Sequence, residues 1–354
     1  MNRRALAAML SLAACRRADA PSPPVARDRP AVSEGRAILG ALRFSPDGDA
    51  LVATAVPERA PHHHSVILWD LRAGALRWSL PLRAPGTPET SLHVALPARW
   101  TPDGRGIVAY WSTPGQVGIV RASDGALLAH TPVTGFGHSV PFGTGALVGD
   151  PAGAQVIRLP DGAPGARLDP PPAGAFFAVV SDDNRRAALP GEDGLGVWDL
   201  ATGARVAVLH TDTASTRLSI SRDGSRVAEI RDGQLRVYAL DAPAPVFSAA
   251  AVDTPHVALS PDGARVAVCG DLRGGLTVFD LASRAVLRAL PDLRCQGIDW
   301  RPDGRVLALG RYDGVELLRV SDGARRALSL TRDGAGWRAA PPPSGERAAF
   351  SAAP

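Results

Sequence analysis

Short apolar runs of five to seven residues, separated by Asp-Gly turns, fill the chain from about residue 38 to residue 330. The turns are SPDG at 45–48, TPDG at 101–104, SDDN at 181–184, SRDG at 221–224, SPDG at 260–263 and RPDG at 301–304. Their third residues lie 56, 80, 40, 39 and 41 positions apart, a period near 40 that marks a repeated unit of several strands. The interval of 80 holds two units, and PFGTGALV at 141–148 falls where the missing turn and second strand belong. The interval of 56 is one period plus insertions around Pro57 to His64 and Leu82 to His93.

Each unit predicts four strands. Proline or arginine before Asp-Gly makes a tight turn, with Gly supplying φ > 0, so the flanking runs form a hairpin. The sixth unit reads HVALS, turn, ARVAVCG, a loop, LTVFDL, a second turn at Ala282-Ser283, and AVLRAL. Leu276 and Val278 face one side of its third strand, Phe279 and Leu281 the other. A sheet apolar on both faces needs neighbours on both, which a ring of radially packed sheets provides. The fold class expected is therefore all-β, a propeller of four-stranded blades.

The third strands are VILWDL (66–71), GVWDL (196–200), RVYAL (236–240) and TVFDL (277–281). VGIVR (117–121), QVIRL (155–159) and VELLRV (315–320) are diverged copies. Trp69-Asp70 and Trp198-Asp199 resemble the signature dipeptide of WD-repeat β-propellers, and the SPDG hairpins match that family too. The resemblance spans roughly residues 38–330 and implies a ring that presents surfaces to protein partners. The Gly-His pair that the family carries before each first strand is missing, although His130, His210 and His256 stand in comparable connections. A hydrogen-bonded tetrad of the family type is thus not expected, and packing is left to stiffen the blades. After the seventh unit, a PPSG turn ends at Gly345, 41 residues beyond Gly304. Seven blades with a C-terminal hairpin on the outside is the favoured reading; eight, with the last blade shared between the termini, is the alternative.

The N-terminus has a different pattern. Arg3 and Arg4 precede the apolar stretch Ala5 to Ala14, and Leu12-Ala13-Ala14-Cys15 resembles the lipobox of a bacterial lipoprotein signal. A run of about ten residues is too short to span a bilayer, which takes roughly 20. The resemblance implies cleavage before Cys15, lipidation of its thiol, and a protein held on an envelope membrane facing the periplasm or the cell exterior. Residues 16–35 are rich in Pro, Ala and charge and have little to bury, as expected of a spacer. The organisation read from the sequence is a signal over 1–14, a lipidated Cys and linker over 15–35, and the propeller over 36–354.

Charge narrows the partners. The formal net charge of +4 falls to +2 once Arg3 and Arg4 leave with the signal. Every basic side chain other than histidine is Arg, and the arginines are scattered, so no stripe suited to nucleic acid is visible. The lack of Lys rules out a phosphate-loop lysine, a Schiff-base lysine and a serine–lysine dyad.

Candidate chemistry is sparse. Gly137-His138-Ser139-Val140-Pro141 resembles a nucleophile elbow until Pro141, where Gly is needed, and no helix follows. His62, His63 and His64 point in alternating directions on an extended loop, which suits a solvated loop or an adventitious metal contact better than a metal centre. Cys269 and Cys295 end and begin strands of adjacent blades, so a disulfide between them is a candidate in an exported protein. Most aspartates sit in Asp-Gly turns, where the carboxylate caps the backbone. No catalytic set and no cofactor motif emerges.

Trp111, Arg231, Asp232, Asp271, Arg273, Arg311 and Tyr312 follow second strands and so share the face opposite the SPDG hairpins. Aromatic and arginine side chains are common interface anchors, which makes this the expected interaction face. The function expected is a non-enzymatic, membrane-tethered scaffold for an envelope protein. An enzyme or small-ligand binder using the channel mouth is the alternative.

Overall fold

The computed structural model describes residues 37–339 except 58–64, 82–97, 112–114, 134–138, 151–152, 173–177, 192–193, 211–216, 243, 252–255, 271–273, 313 and 334–335. Cys15 and His62 to His64 lie outside the described residues.

The strands assemble in chain order into seven antiparallel sheets. Blade one holds β1 (Ala37–Phe44), β2 (Ala50–Pro57), β3 (Ser65–Asp70) and β4 (Ala75–Pro81). Blade two holds β5 (Ala98–Trp100), β6 (Gly106–Trp111), β7 (Gln116–Arg121) and β8 (Leu127–Pro132). Blade three holds β9 (Ser139–Phe142), β10 (Gly145–Asp150), β11 (Gly153–Arg158) and β12 (Pro164–Arg167). In blade four come β13 (Val179–Val180), β14 (Arg186–Gly191), β15 (Gly194–Asp199) and β16 (Arg205–His210). Blade five comprises β17 (Arg217–Ile220), β18 (Arg226–Arg231), β19 (Gln234–Ala239) and β20 (Phe247–Ala250). Blade six comprises β21 (His256–Leu259), β22 (Arg265–Cys269), β23 (Leu276–Asp280) and β24 (Val286–Leu290). Blade seven has β25 (Gly297–Trp300), β26 (Val306–Gly310), β27 (Gly314–Arg319), β28 (Arg325–Asp333) and a fifth strand, β29 (Gly336–Ala339). The described residues form seven blades, and the chain beyond the seventh unit adds β29 to the outer edge of the last one.

First strands gather round the axis and fourth strands form the rim. Burial follows that order: β3 and β15 are buried almost throughout, whereas β4 and β16 alternate between partly buried and exposed. The apolar side chains interleave between successive blades, and one cluster joins Leu39, Leu51 and Trp69 of blade one to Ala308, Leu317 and Trp337 of blade seven. Each blade is one continuous stretch of chain, so packing and hydrogen bonds close the ring rather than a strand shared between the termini.

The hairpins show why Ser-Pro-Asp-Gly recurs. Ser45 Oγ donates to Asp47 Oδ1 at 2.6 Å, and the backbone N–H of Asp49 donates to the same oxygen at 3.0 Å. Thr101 with Asp103, Ser221 with Asp223 and Ser260 with Asp262 repeat the cap. The Ser45 bond comes first in holding the Asp47 carboxyl below its usual pKa, and Thr101 does the same for Asp103. Gly48, at φ +76°, takes the left-handed conformation that closes the turn. Asn184 takes that conformation in blade four, and its Oδ1 accepts the backbone N–H of Gly143 in blade three at 2.8 Å.

Arginines then tie turn to turn. Arg186 donates to the Gly224 carbonyl at 3.2 Å, Arg226 to that of Gly263 at 2.7 Å and Arg265 to that of Gly304 at 3.0 Å. Arg301 completes the run by donating to Gly48 across the closing seam at 3.1 Å.

Candidate functional site

The second strands place the predicted interaction residues at one end of the ring. Trp111 closes β6, Arg231 closes β18 with Asp232 in the turn beyond, and Arg311 and Tyr312 follow β26. Asp271 and Arg273 lie outside the described residues. These positions share a face but not a patch, since they belong to different blades. Tyr312 is exposed and its hydroxyl accepts from Gln296 Nε2 at 3.0 Å. The Asp232 side chain is 79% exposed, whereas that of Arg231 is mostly enclosed. Arg311 donates to Glu316 at 2.6 Å and supports a buried carboxylate, so it holds structure as well as surface.

A polar cluster that sequence reading did not expect joins blades four and five. Glu229 on β18 is fully buried and accepts from the Tyr238 hydroxyl at 2.9 Å, with His210 Nε2 3.0 Å from its other oxygen. The absence of Gly-His pairs therefore does not remove every blade-stiffening network; here His210 from the rim strand takes part in one. Burial comes first in pushing the Tyr238 phenol upward, and its bond to Glu229 adds to the shift. A buried carboxylate is tolerable only when its lone pairs are occupied, as these are.

Cys269 and Cys295 are joined as a disulfide, with Cα atoms 6.1 Å apart. The bond links the end of β22 to the connection that enters blade seven. Among the described residues no three His, Cys, Asp or Glu side chains gather as a metal site. No helix there is long and apolar enough to cross a membrane.

The opposite end, at the hairpins, holds a cavity of about 260 Å³ at the channel mouth. The second residue of each turn reaches its rim: Pro46, Pro102, Pro261 and Pro302, with Asp182 and Arg222 where blades four and five lack the proline. Three residues earlier, the same register position points to the axis and carries Arg43, Arg99 and Asp299 in blades one, two and seven. Arg43 Nη1 lies 3.2 Å from Asp299 Oδ1, and the Phe44 N–H donates to Asp299 Oδ2 at 2.9 Å. Asp299 thus closes the seam between the last blade and the first. Ser219 does the equivalent within the ring, its Oγ accepting the N–H of Leu259 at 2.9 Å.

Burial pushes the Asp299 carboxyl up to about 7, Arg43 opposes the rise and Asp182 adds to it. The Asp299 side chain keeps 19% exposure, which moderates that penalty. Asp182 is also shifted upward by the enclosing walls, against Arg43 and Arg222, although it keeps solvent contact at the rim.

No protein-family model matches the chain, and no curated protein does either. Solved structures do. The β-propeller domain of Myceliophteria thermophila Cps50 (Swd1) superposes with a TM-score of 0.57 at 15% identity, over 78% of this chain and 95% of that one. KlHsv2 with its loop 6CD replaced by a Gly-Ser linker gives 0.55 at 13% identity, over 85% of this chain and 96% of that one. The fold is that of a seven-bladed β-propeller. At such identities the likeness speaks for the propeller architecture alone.

Proposed function

We propose that the protein is a non-enzymatic, lipid-anchored envelope scaffold whose propeller docks a protein partner on the face opposite the hairpins. The observation that carries the reading is the contrast between the two ends of the ring. On the hairpin face the turn serines and aspartates engage each other in caps, and turn carbonyls accept from arginines of the preceding blade. On the other face Tyr312 and Asp232 stand exposed at the ends of second strands. That face also receives both ends of the 58–64 connection, the longest between a second and a third strand. An exposed aromatic beside polar side chains suits an interface anchor. The lipobox-like segment ending at Cys15 supports the tether, and the spacer over 16–35 supports its reach from a membrane.

Crosslinking in intact cells, followed by identification of what is captured, tests the docking. A single stoichiometric envelope protein is expected, with capture weakened by Tyr312→Ala together with Asp232→Arg and retained by Asp303→Asn on the hairpin face. Arg311→Glu is a poor probe, because it would set a second carboxylate against Glu316 and destabilise the blade. Capture lost in a folded hairpin-face variant and kept in the Tyr312 variant would contradict the reading. For the tether, Cys15→Ser should abolish metabolic labelling with a fatty acid; label retained would contradict it.

A further inference from the structure

At the channel mouth one arginine keeps its inner nitrogen buried without a hydrogen-bond partner. Arg99 on β5 is 92% enclosed by its residue surface, lines the cavity, and its Nε has no hydrogen-bond partner. Neither nearby carboxylate forms an ion pair with it, since Asp299 is engaged by Arg43 and by the N–H of Phe44. A buried N–H left unpaired costs free energy, and a bound oxyanion is one group that would satisfy it. Arg222, at the turn position where other blades carry proline, brings a second guanidinium to the same rim.

We infer that the channel mouth binds the oxyanion of a small organic molecule, a carboxylate or a phosphate, with Arg99 as the buried anchor and Arg222 at the rim. The residues around the anion define the rest of the ligand. Trp100 and Phe142 offer apolar walls, and Asp182 offers an acceptor that favours a ligand with a hydroxyl or ammonium donor. A cavity of about 260 Å³ ringed by turn prolines takes a metabolite-sized molecule, near the small end of ligand pockets. Planar guanidinium forks bind carboxylate and phosphate in two-point geometry, which a lysine would not provide. This site lies at the opposite end of the channel from the proposed partner face and stands independently of it.

The test uses the full chain in detergent, titrated with succinate and with inorganic phosphate, with sodium chloride at matched ionic strength as the control. Saturable one-site binding of succinate, of phosphate or of both is expected, together with a rise in the thermal midpoint that chloride does not give; which of them binds identifies the oxyanion. Arg99→Met should weaken binding at least tenfold. In buffer free of these anions it should unfold no earlier than wild type, because the substitution removes an unpaired buried N–H. Arg222→Gln, at an exposed position, should weaken binding less, and Arg294→Gln, exposed in the connection that enters blade seven, should not change it. Stabilisation by chloride equal to that by succinate and phosphate would overturn the inference, as would affinity unchanged in Arg99→Met and Arg222→Gln. An Arg99→Met protein that fails to fold would also overturn it, since the guanidinium would then have a structural partner.

Discussion

Arg226, at the start of the second strand of blade five, donates through Nη1 to the carbonyl oxygen of Gly263 in the hairpin of blade six, at 2.7 Å. The same bond joins blade four to five through Arg186 and blade six to seven through Arg265. Three consecutive seams are thus pinned by one side-chain type at one position in the repeat, two residues after the turn. A hydrogen bond with a charged donor contributes about 1.5–3 kcal/mol. Arg226→Leu should lower stability by about that much, read as a shift in the urea midpoint with an unchanged slope. No shift would mean that water satisfies the Gly263 carbonyl equally well.

The buried cluster around Glu229 makes a sharper demand. Glu229→Ala removes the acceptor of the Tyr238 hydroxyl and of His210 in a largely buried site, a loss of about 1–3 kcal/mol for the phenol left unsatisfied. Glu229→Gln keeps an acceptor for Tyr238 and should cost less. Equal midpoints for the two variants would show that the carboxylate's hydrogen bonds are not what holds blade four to blade five.

Acid should act in two stages of opposite sign. The Asp299 carboxyl is raised in the folded state, to about 7, so the fold binds the extra proton and gains stability as pH falls from about 7 towards 4. The turn aspartates Asp47 and Asp103 are depressed below 3.8, so their contribution is complete above that value and is lost as pH falls through their folded pKa. Urea midpoints should therefore rise modestly from pH 8 to pH 5 and drop below about pH 4. Asp299→Asn should remove the first change and leave the second, whereas a rise that persists in Asp299→Asn would assign it to another group.

The disulfide closes a loop over a sequence separation of 26 and should stabilise by roughly 3 kcal/mol. Thiol titration of the denatured, unreduced protein carrying Cys15→Ser should find no free thiol. Two free thiols would show that the pair is not oxidised where the protein resides.

The repeat made the ring legible because hairpins leave local traces: Pro and Gly fix dihedrals, Asp caps the turn, and apolar residues on both strand faces demand neighbours. The partial unit after residue 330 was harder to read, because the period alone does not say whether a strand joins a new blade or, as β29 does, the edge of an old one. The channel site stayed hidden for a different reason. Arg43, Arg99 and Asp299 are far apart in the chain and become neighbours only when seven units are wrapped round one axis. Their trace is a register, three residues before the second turn residue, and it emerges when the hairpins are stacked in line. The His210–Glu229–Tyr238 cluster likewise draws on two blades, and the lone Glu in RVAEIR was its sequence trace.

The central claim, that the face opposite the hairpins docks a protein partner, is tested most directly by a photo-crosslinking residue placed at Tyr312 and, separately, at Asp303, in the full chain in living cells. The account predicts one discrete crosslinked product from position 312 and none from position 303. A product from position 303 with none from position 312 would contradict it.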